Sequence, residues 1–203
     1  MATGVRPPKL SDELEQWLTA DGEKTLGSLI ERFGEKSFAI VFVLLLGVPA
    51  LPLPTGGATH VFEILAMLIA LELVAGRKHL WLPRRWRSLE LGGERRQRLV
   101  GALLRMIRWL ERISRPRLQL LFHGRLSDIG FGVLVIAGSL AAFLAPPFTG
   151  LDTLPALAVV LLSLAKLLED FLVAAMALIA GIVGVVLEIA LGLAAINGIG
   201  SIL

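Results

Sequence analysis

Cysteine is absent from this 203-residue chain. That excludes a disulfide framework and a thiolate metal site. Histidine is scarce: His60, His79 and His123 are the whole set, and they show no metal-ligand spacing. No Ser–His–Asp order and no phosphate-cradling glycine loop stands out, and Gly92–Gly93 is a lone pair. These absences point away from an enzyme and imply no metal and no cofactor. Charge is sparse in the second half, where Lys166 is the only basic residue beyond Arg125. The opening MATGVRPPKLSDELEQW lacks the basic, then apolar, then small-residue order expected of a removable signal peptide.

What the chain has instead is apolar bulk. Hydrophobic residues make up 55% of it and mean hydropathy is +0.76. Ordinary soluble domains hold about 45–50%. A helical integral membrane protein is expected. Net charge is only +3, but residues 77–125 carry 14 of the 20 Lys and Arg against three acids, Glu90, Glu94 and Glu111. A soluble nucleic-acid binder does not pair one basic block with long uncharged runs, so nucleic acid is not an expected partner.

Five stretches follow from the pattern. Residues 1–36 read as N-terminal cytoplasmic or interfacial helices. Ser11 is a candidate N-cap, Leu14, Trp17 and Leu18 share one face, and Leu26, Leu29, Ile30 and Phe33 form a second stripe ended by Gly34. Residues 37–76 form a first membrane hairpin. Its first arm, 37–53, is uncharged and about one bilayer core long at roughly 1.5 Å per residue. PTGGATH (54–60) breaks it, and the second arm carries Glu63 and Glu72. Residues 77–128 form a basic cytoplasmic loop with an amphipathic helix at 95–115. There Leu99, Leu103, Met106, Leu110 and Ile113 oppose Arg98, Arg105, Arg108, Arg112 and Arg115, a pattern that suits a helix in the membrane interface. Residues 129–168 form a second hairpin broken at PPFTGLDT (146–153), and 169–203 a C-terminal membrane segment.

The two breaks are alike. Pro52, Thr55, Gly56 and Thr59 recur 94 residues later as Pro146, Thr149, Gly150 and Thr153, and Ala66 and Leu71 align with Val160 and Ala165. The shared P-x-x-T-G-x-x-T lies between apolar runs each time, which suggests an internal duplication. The fold expected is all-α and membrane-integral: two repeated, Pro/Gly-broken hairpins, a C-terminal transmembrane helix and amphipathic interfacial helices. The positive loop at 77–125 is cytoplasmic, so 37–76 enters and leaves on one side, as two short spans or as a re-entrant pair. The repeats are then parallel, related by a pseudo-two-fold axis. A homodimer is expected, with Ala180-x-x-x-Gly184 and Glu188-x-x-x-Gly192 as small-residue faces.

Candidate residues for a substrate or ion site are Thr55, Gly56, Thr59 and Glu63, then Thr149, Gly150, Asp152 and Thr153, then Glu169 and Asp170. A broken helix exposes backbone N–H groups to an anion or polar head near the midplane. The alternatives are structural. The Thr residues would cap a tight turn, Asp152 would be an N-cap, Glu72 would pair with Arg77, and Lys166 would pair with Glu169. A carboxylate such as Glu63 in an apolar run must face protein, water or an interface. His60, beside the turn, is the one histidine worth mutating. Arg77, Lys78, Arg84, Arg85 and Arg87 read as a topology signal in contact with membrane lipids.

Four stretches together are distinctive: TLGSLIERFGEKSF (25–38), LPLPTGGATHVFEILAMLIALELVAGRKHLWLP (51–83), ERISRPRL (111–118) and DTLPALAVVLLSLAKLLED (152–170). On these the chain resembles the ExoD family of bacterial exopolysaccharide-synthesis membrane proteins. The resemblance implies the bacterial inner membrane, a role in exopolysaccharide production and polysaccharide-synthesis proteins as partners. It implies no agreed catalytic mechanism. A transporter-like role, a non-transporting assembly or regulatory subunit, and a membrane enzyme on lipid-linked sugars stand in that order.

Overall fold

The computed structural model describes residues 9–51, 59–77, 80–81, 83–88, 94–113, 122–145 and 150–200. Among these the fold is all-α, with no β-strand. The first layer is built from α1 (Leu10–Thr19), α2 (Leu26–Phe33), the single turn α5 (Arg84–Arg87) and α6 (Glu94–Ile113). Both expected N-terminal stripes are buried: Leu14 and Trp17 on α1, and Leu26, Leu29, Ile30 and Phe33 on α2. Thr25 and Ser28 bond reciprocally to each other's backbone N–H at the start of α2, and Gly34 ends it at φ +53°.

Two local expectations change. Ser11 is not the N-cap of α1; Lys9 holds that position. Ser11 is instead buried, and its N–H and hydroxyl both donate to Glu111 on α6, at 3.1 and 2.5 Å. That contact, with Arg108 paired to Glu15, docks α6 on α1. Among its described residues, α6 turns apolar side chains toward the protein. Its buried line runs through Leu104, Ile107 and Leu110, while Arg105, Trp109 and Arg112 face outward. Similarly Arg87 is held by Glu31 of α2 at 2.8 Å.

The arm at 37–53 does not form one full-length helix. Helix α3 (Lys36–Leu46) has 11 residues and gives way to turns from Gly47. At about 1.5 Å per residue it covers about half of a bilayer core. It is apolar on all sides because it is enclosed on all sides: Phe38 through Val43 and Leu46 are buried, and α2, α4, α6 and α8 pack around it.

Four longer helices complete the fold: α4 (His60–Val74), α7 (Arg125–Leu144), α8 (Thr153–Leu168) and α9 (Phe171–Gly200). Two are long and apolar enough to cross a membrane, α7 and the 171–194 part of α9. Only 28% and 17% of their apolar windows are buried, whereas the core helix of a soluble protein would be mostly covered. Leu134, Leu140, Ile179, Ile182, Val186 and Ile189 are among the large apolar side chains left outside. An apolar exterior of this extent fits membrane association.

Packing fixes the register. Helix α7 runs antiparallel to α4: a Cβ on Gly132 would come within 2.7 Å of Val74 Cγ2 and 3.2 Å of the Ala70 carbonyl, and Phe143 meets His60 edge-on at 5.0 Å. Helix α9 folds back along α8, where a Cβ on Gly181 would meet Ala158 at 3.3 Å and one on Gly184 would meet Pro155 at 2.9 Å. The Ala180–Gly184 face is therefore occupied at Gly184 within the chain itself. Helix α3 lies against α8, and Phe42 meets Phe131 of α7 edge-on at 5.8 Å.

Candidate functional site

Thr59 occupies the N-cap position of α4, but its side chain makes no capping bond. Its hydroxyl bonds to Glu63 instead. One turn into the helix, His60 Nδ1 lies 2.7 Å from Glu63 Oε2. Glu63 has no exposed side-chain surface, whereas His60 is 28% exposed. The imidazole thus links the surface to a carboxylate sealed in apolar packing. Glu63 Oε1 has no hydrogen-bond partner. An orphaned buried polar atom costs about 1–3 kcal/mol, and more when the group is charged.

The second break contributes from the other side. Asp152 holds the N-cap position of α8, and it too makes no capping bond. Thr59 and Asp152 thus hold the N-cap positions expected of structural residues, without the side-chain bond that a cap would make. Asp152 lies close enough to interact electrostatically with Glu63 and with Glu188 of α9. Glu188 Oε1 also lacks a partner. On α7, Ser139 is fully buried and its Oγ is the third orphan among the described residues. The register that sets Phe143 against His60 and Gly132 against Ala70 and Val74 puts Ser139 at the level of Glu63. Glu63, Asp152 and Glu188 thus bring α4, α8 and α9 together at one polar cluster, with Ser139 of α7 at the same level.

The cluster has no strong cation. No ion pair joins Lys or Arg to Glu63, Asp152 or Glu188 among the described residues. Lys166 sits at the far end of α8, paired to Asp128 at 2.9 Å and donating to Ser127 Oγ at 2.9 Å. Also among the described residues, no group of three or more His, Asp or Glu is disposed to hold a metal ion.

Other expected residues fall elsewhere. Thr55, Gly56, Thr149 and Lys78 lie outside the described residues. Gly150 is exposed at φ +70°, a backbone that side-chain-bearing residues rarely adopt, and its carbonyl accepts from Thr153 N–H at 3.3 Å. Thr153 opens α8, whereas Thr59 precedes α4 as its N-cap. Glu169 and Asp170 mark the α8–α9 turn at the opposite end of α8. Glu169 adopts the left-handed backbone that ends α8, which turns its side chain toward His123 at 3.4 Å and away from Lys166. Asp170 is buried and accepts from Leu172 N–H at 2.8 Å, opening α9. Glu72 approaches Arg77 at 3.9 Å and accepts from Trp81 N–H at 3.1 Å, at the basic end of α4. Arg84 and Arg85 fall on the turn α5.

The sequence matches the family described as "Exopolysaccharide synthesis, ExoD" over residues 10–190. The chain belongs to the ExoD family. It is similar to an uncharacterized protein of Synechocystis, 36% identical over 154 residues that cover 74% of this chain and 72% of that one. It is also similar to protein ExoD of Rhizobium meliloti, 30% identical over 152 residues, 74% of this chain and 63% of that protein's length. No solved structure matches.

In this ExoD-family chain, sequence reasoning missed Ser139 and used Glu188 only as part of a packing face. Glu188 had a signal, a lone carboxylate in the long apolar C-terminal run. Ser139 had none, because a small hydroxyl in a helix is common and cheap. A cavity of about 300 Å³ also lies between α7, α8 and α9, walled by Gly138, Pro155, Ala158, Gly181 and larger aliphatics. Its lining carries no polar side chain.

Proposed function

We propose that this ExoD-family chain is a multi-pass protein of the bacterial inner membrane that serves exopolysaccharide synthesis in a transporter-like way. It takes an ion, a lipid-linked sugar carrier or an anionic headgroup through a polar site at its paired broken helices. The observation that carries this reading is Glu63: a fully buried carboxylate at a helix break, with one oxygen unpartnered. A carboxylate serving structure alone would have both oxygens satisfied.

The architecture proposed is two parallel hairpin repeats, with the 77–125 block cytoplasmic. Two observations support it. At the 94-residue offset the end of α4 at Val74 maps onto the end of α8 at Leu168. The cross-hairpin contacts α4 with α7 and α3 with α8 also exchange with each other under that repeat. Membrane lipids cover the outward apolar faces of α4, α7 and α9, and a homodimer would use the part of α9 beyond Gly184.

Reconstitution tests the function. Flux or flipping by purified protein should exceed that of empty liposomes, and variants at Thr55, Thr149 and Asp152 should fail to restore polysaccharide in a deletion strain. Absence of flux together with full complementation by all three would sink the reading. A second reading, a non-transporting assembly or regulatory subunit, draws on the outward line of Arg105, Trp109 and Arg112 on α6. Under it, crosslinks from 77–125 trap a synthesis enzyme, and charge reversal on that face abolishes polysaccharide with insertion intact.

A further inference from the structure

We propose that Glu63 is a proton-carrying carboxylate, loaded from the surface through His60, and that the species moving through the cluster is H⁺. This rests on the transport reading and narrows its substrate class.

The sign of the cluster comes first. Asp152 interacts electrostatically with both Glu63 and Glu188, and among the described residues the basic group paired with one of these three carboxylates is the His60 imidazole. The N-terminal dipoles of α4 and α8 carry roughly half a positive charge each, too little to offset three carboxylates and also hold an anion. Anionic headgroups and phosphates are therefore disfavoured. A multidentate metal site is not built among the described residues. A proton needs only one oxygen and a route.

The route is present. His60 bridges between solvent and Glu63, whose Oε2 lies 2.7 Å from Nδ1. With Glu63 ionised, Nδ1–H donates to Oε2. Hydronium then protonates Nε2 and leaves as water, the Nδ1–H bond breaks, and an O–H bond forms on Glu63. The imidazole ends neutral in its other tautomer, and the carboxyl gains one proton. No oxidant or co-reactant is required.

The destination is also present. The two orphans Glu63 Oε1 and Ser139 Oγ lie at one level of the α4–α7 interface and are both fully buried. Protonating Glu63 at Oε2 removes the buried charge, and the new carboxyl O–H points back at the now-unprotonated His60 Nδ1, 2.7 Å away. The remaining polar neighbours are Thr59 on α4, Asp152 on α8 and Glu188 on α9. On α7 the charged residues Arg125 and Asp128 lie at the opposite end, and on α3 the charged residue is Lys36 at its start. Ser139 acts as a positioning residue, and Asp152 and Glu188 offer the next carboxylates for an outgoing proton.

The test uses the purified full-length chain in liposomes loaded with the pH dye pyranine. The membrane potential is clamped by valinomycin and K⁺, and ²²Na⁺ and ⁸⁶Rb⁺ uptake is measured in parallel. After an external acid pulse the wild type should acidify the lumen faster than empty liposomes do. Glu63→Gln keeps the shape and a hydrogen-bond donor but cannot release a proton, and should lose at least tenfold of that rate. His60→Gln should lose several-fold, and Ser139→Ala should slow the rate and shift its pH profile. Folding of each variant is checked by size exclusion. Should Glu63→Gln not fold, His60→Gln and Glu63→Asp decide, since both must slow the flux. Wild-type rates in the Glu63 variants, or Na⁺ or Rb⁺ uptake without proton flux, overturn the proton assignment and leave transport standing. No flux of any of the three ions from folded protein overturns the proton assignment, and the transport reading falls with it if lipid-linked and anionic substrates also fail to move.

Discussion

His60 Nδ1 and Glu63 Oε2 lie 2.7 Å apart in the first turn of α4, and the histidine is the partly exposed member of the pair. Removing the imidazole leaves a buried carboxylate with one partner fewer. His60→Leu should destabilise the protein by about 1–3 kcal/mol, which lowers the melting temperature by roughly 2–12 °C for a chain of this size. Thermal unfolding in detergent by circular dichroism checks this. An unchanged melt would mean that the pair contributes nothing to the fold.

The two breaks differ in accessibility. Thr59 is 2% exposed, whereas Gly150 is exposed. Because the native chain has no cysteine, single cysteines report cleanly. Gly150→Cys should label with a membrane-impermeant maleimide in spheroplasts, and Thr59→Cys should resist until the protein is denatured. Equal and rapid labelling of both would place the two turns outside the membrane and weaken the case for a buried site.

Helices α8 and α9 are joined by a short turn and should be held in one register. A Cβ on Gly181 would meet Ala158 Cβ at 3.3 Å, near the Cβ separation of about 3.5–4.5 Å that a disulfide needs. The double variant Ala158→Cys, Gly181→Cys should crosslink under mild oxidant, seen as a mobility shift reversed by reductant. A control pair at Ala158 and Ile182, one residue out of register, should crosslink far less.

The first layer makes a graded prediction. Ser11 is buried and gives Glu111 two hydrogen bonds, whereas Glu15 and Arg108 pair at the surface with 51% and 41% of their side chains exposed. Glu111→Ala should cost about 1–3 kcal/mol by leaving buried donors unpaired. Glu15→Ala should cost under about 1 kcal/mol, because exposed pairs are screened. Comparing the two melts in one detergent decides it.

Much of the helical layout was legible beforehand, and the reasons are local. The stripes at Leu14 and Trp17 and at Leu26, Leu29, Ile30 and Phe33 repeat at helical spacing, and Gly34 stops α2 where a positive φ is required. The run expected from residue 154 onward appears as α8, which starts at Thr153. The errors came where a neighbour far along the chain took over. Ser11 meets Glu111 on α6 in place of capping α1, and Lys166 pairs with Asp128 on α7 and not with the nearer Glu169.

The candidate site shows the same division. Glu63 and Asp152 could be suspected from sequence, since each is a lone acid beside a Pro/Gly break. That Thr59 and Asp152 hold cap positions without making a capping bond could not, because the pattern assigns such residues to caps.

By itself, then, the sequence determined the all-α class, the amphipathic stripes of the first two helices and the apolar exterior. Helix formation and hydrophobicity depend on residues within a turn or two of one another. Only the tertiary structure decided that Glu63, Asp152 and Glu188 come within electrostatic reach of one another at the level of Ser139, and that His60 links Glu63 to the surface. These groups lie on four helices and up to 125 positions apart. Their meeting depends on how closely α7 approaches α4 at Gly132 and α9 approaches α8 at Gly184. Such close approaches are set by side-chain volume on two facing helices at once, a quantity that neither segment carries alone.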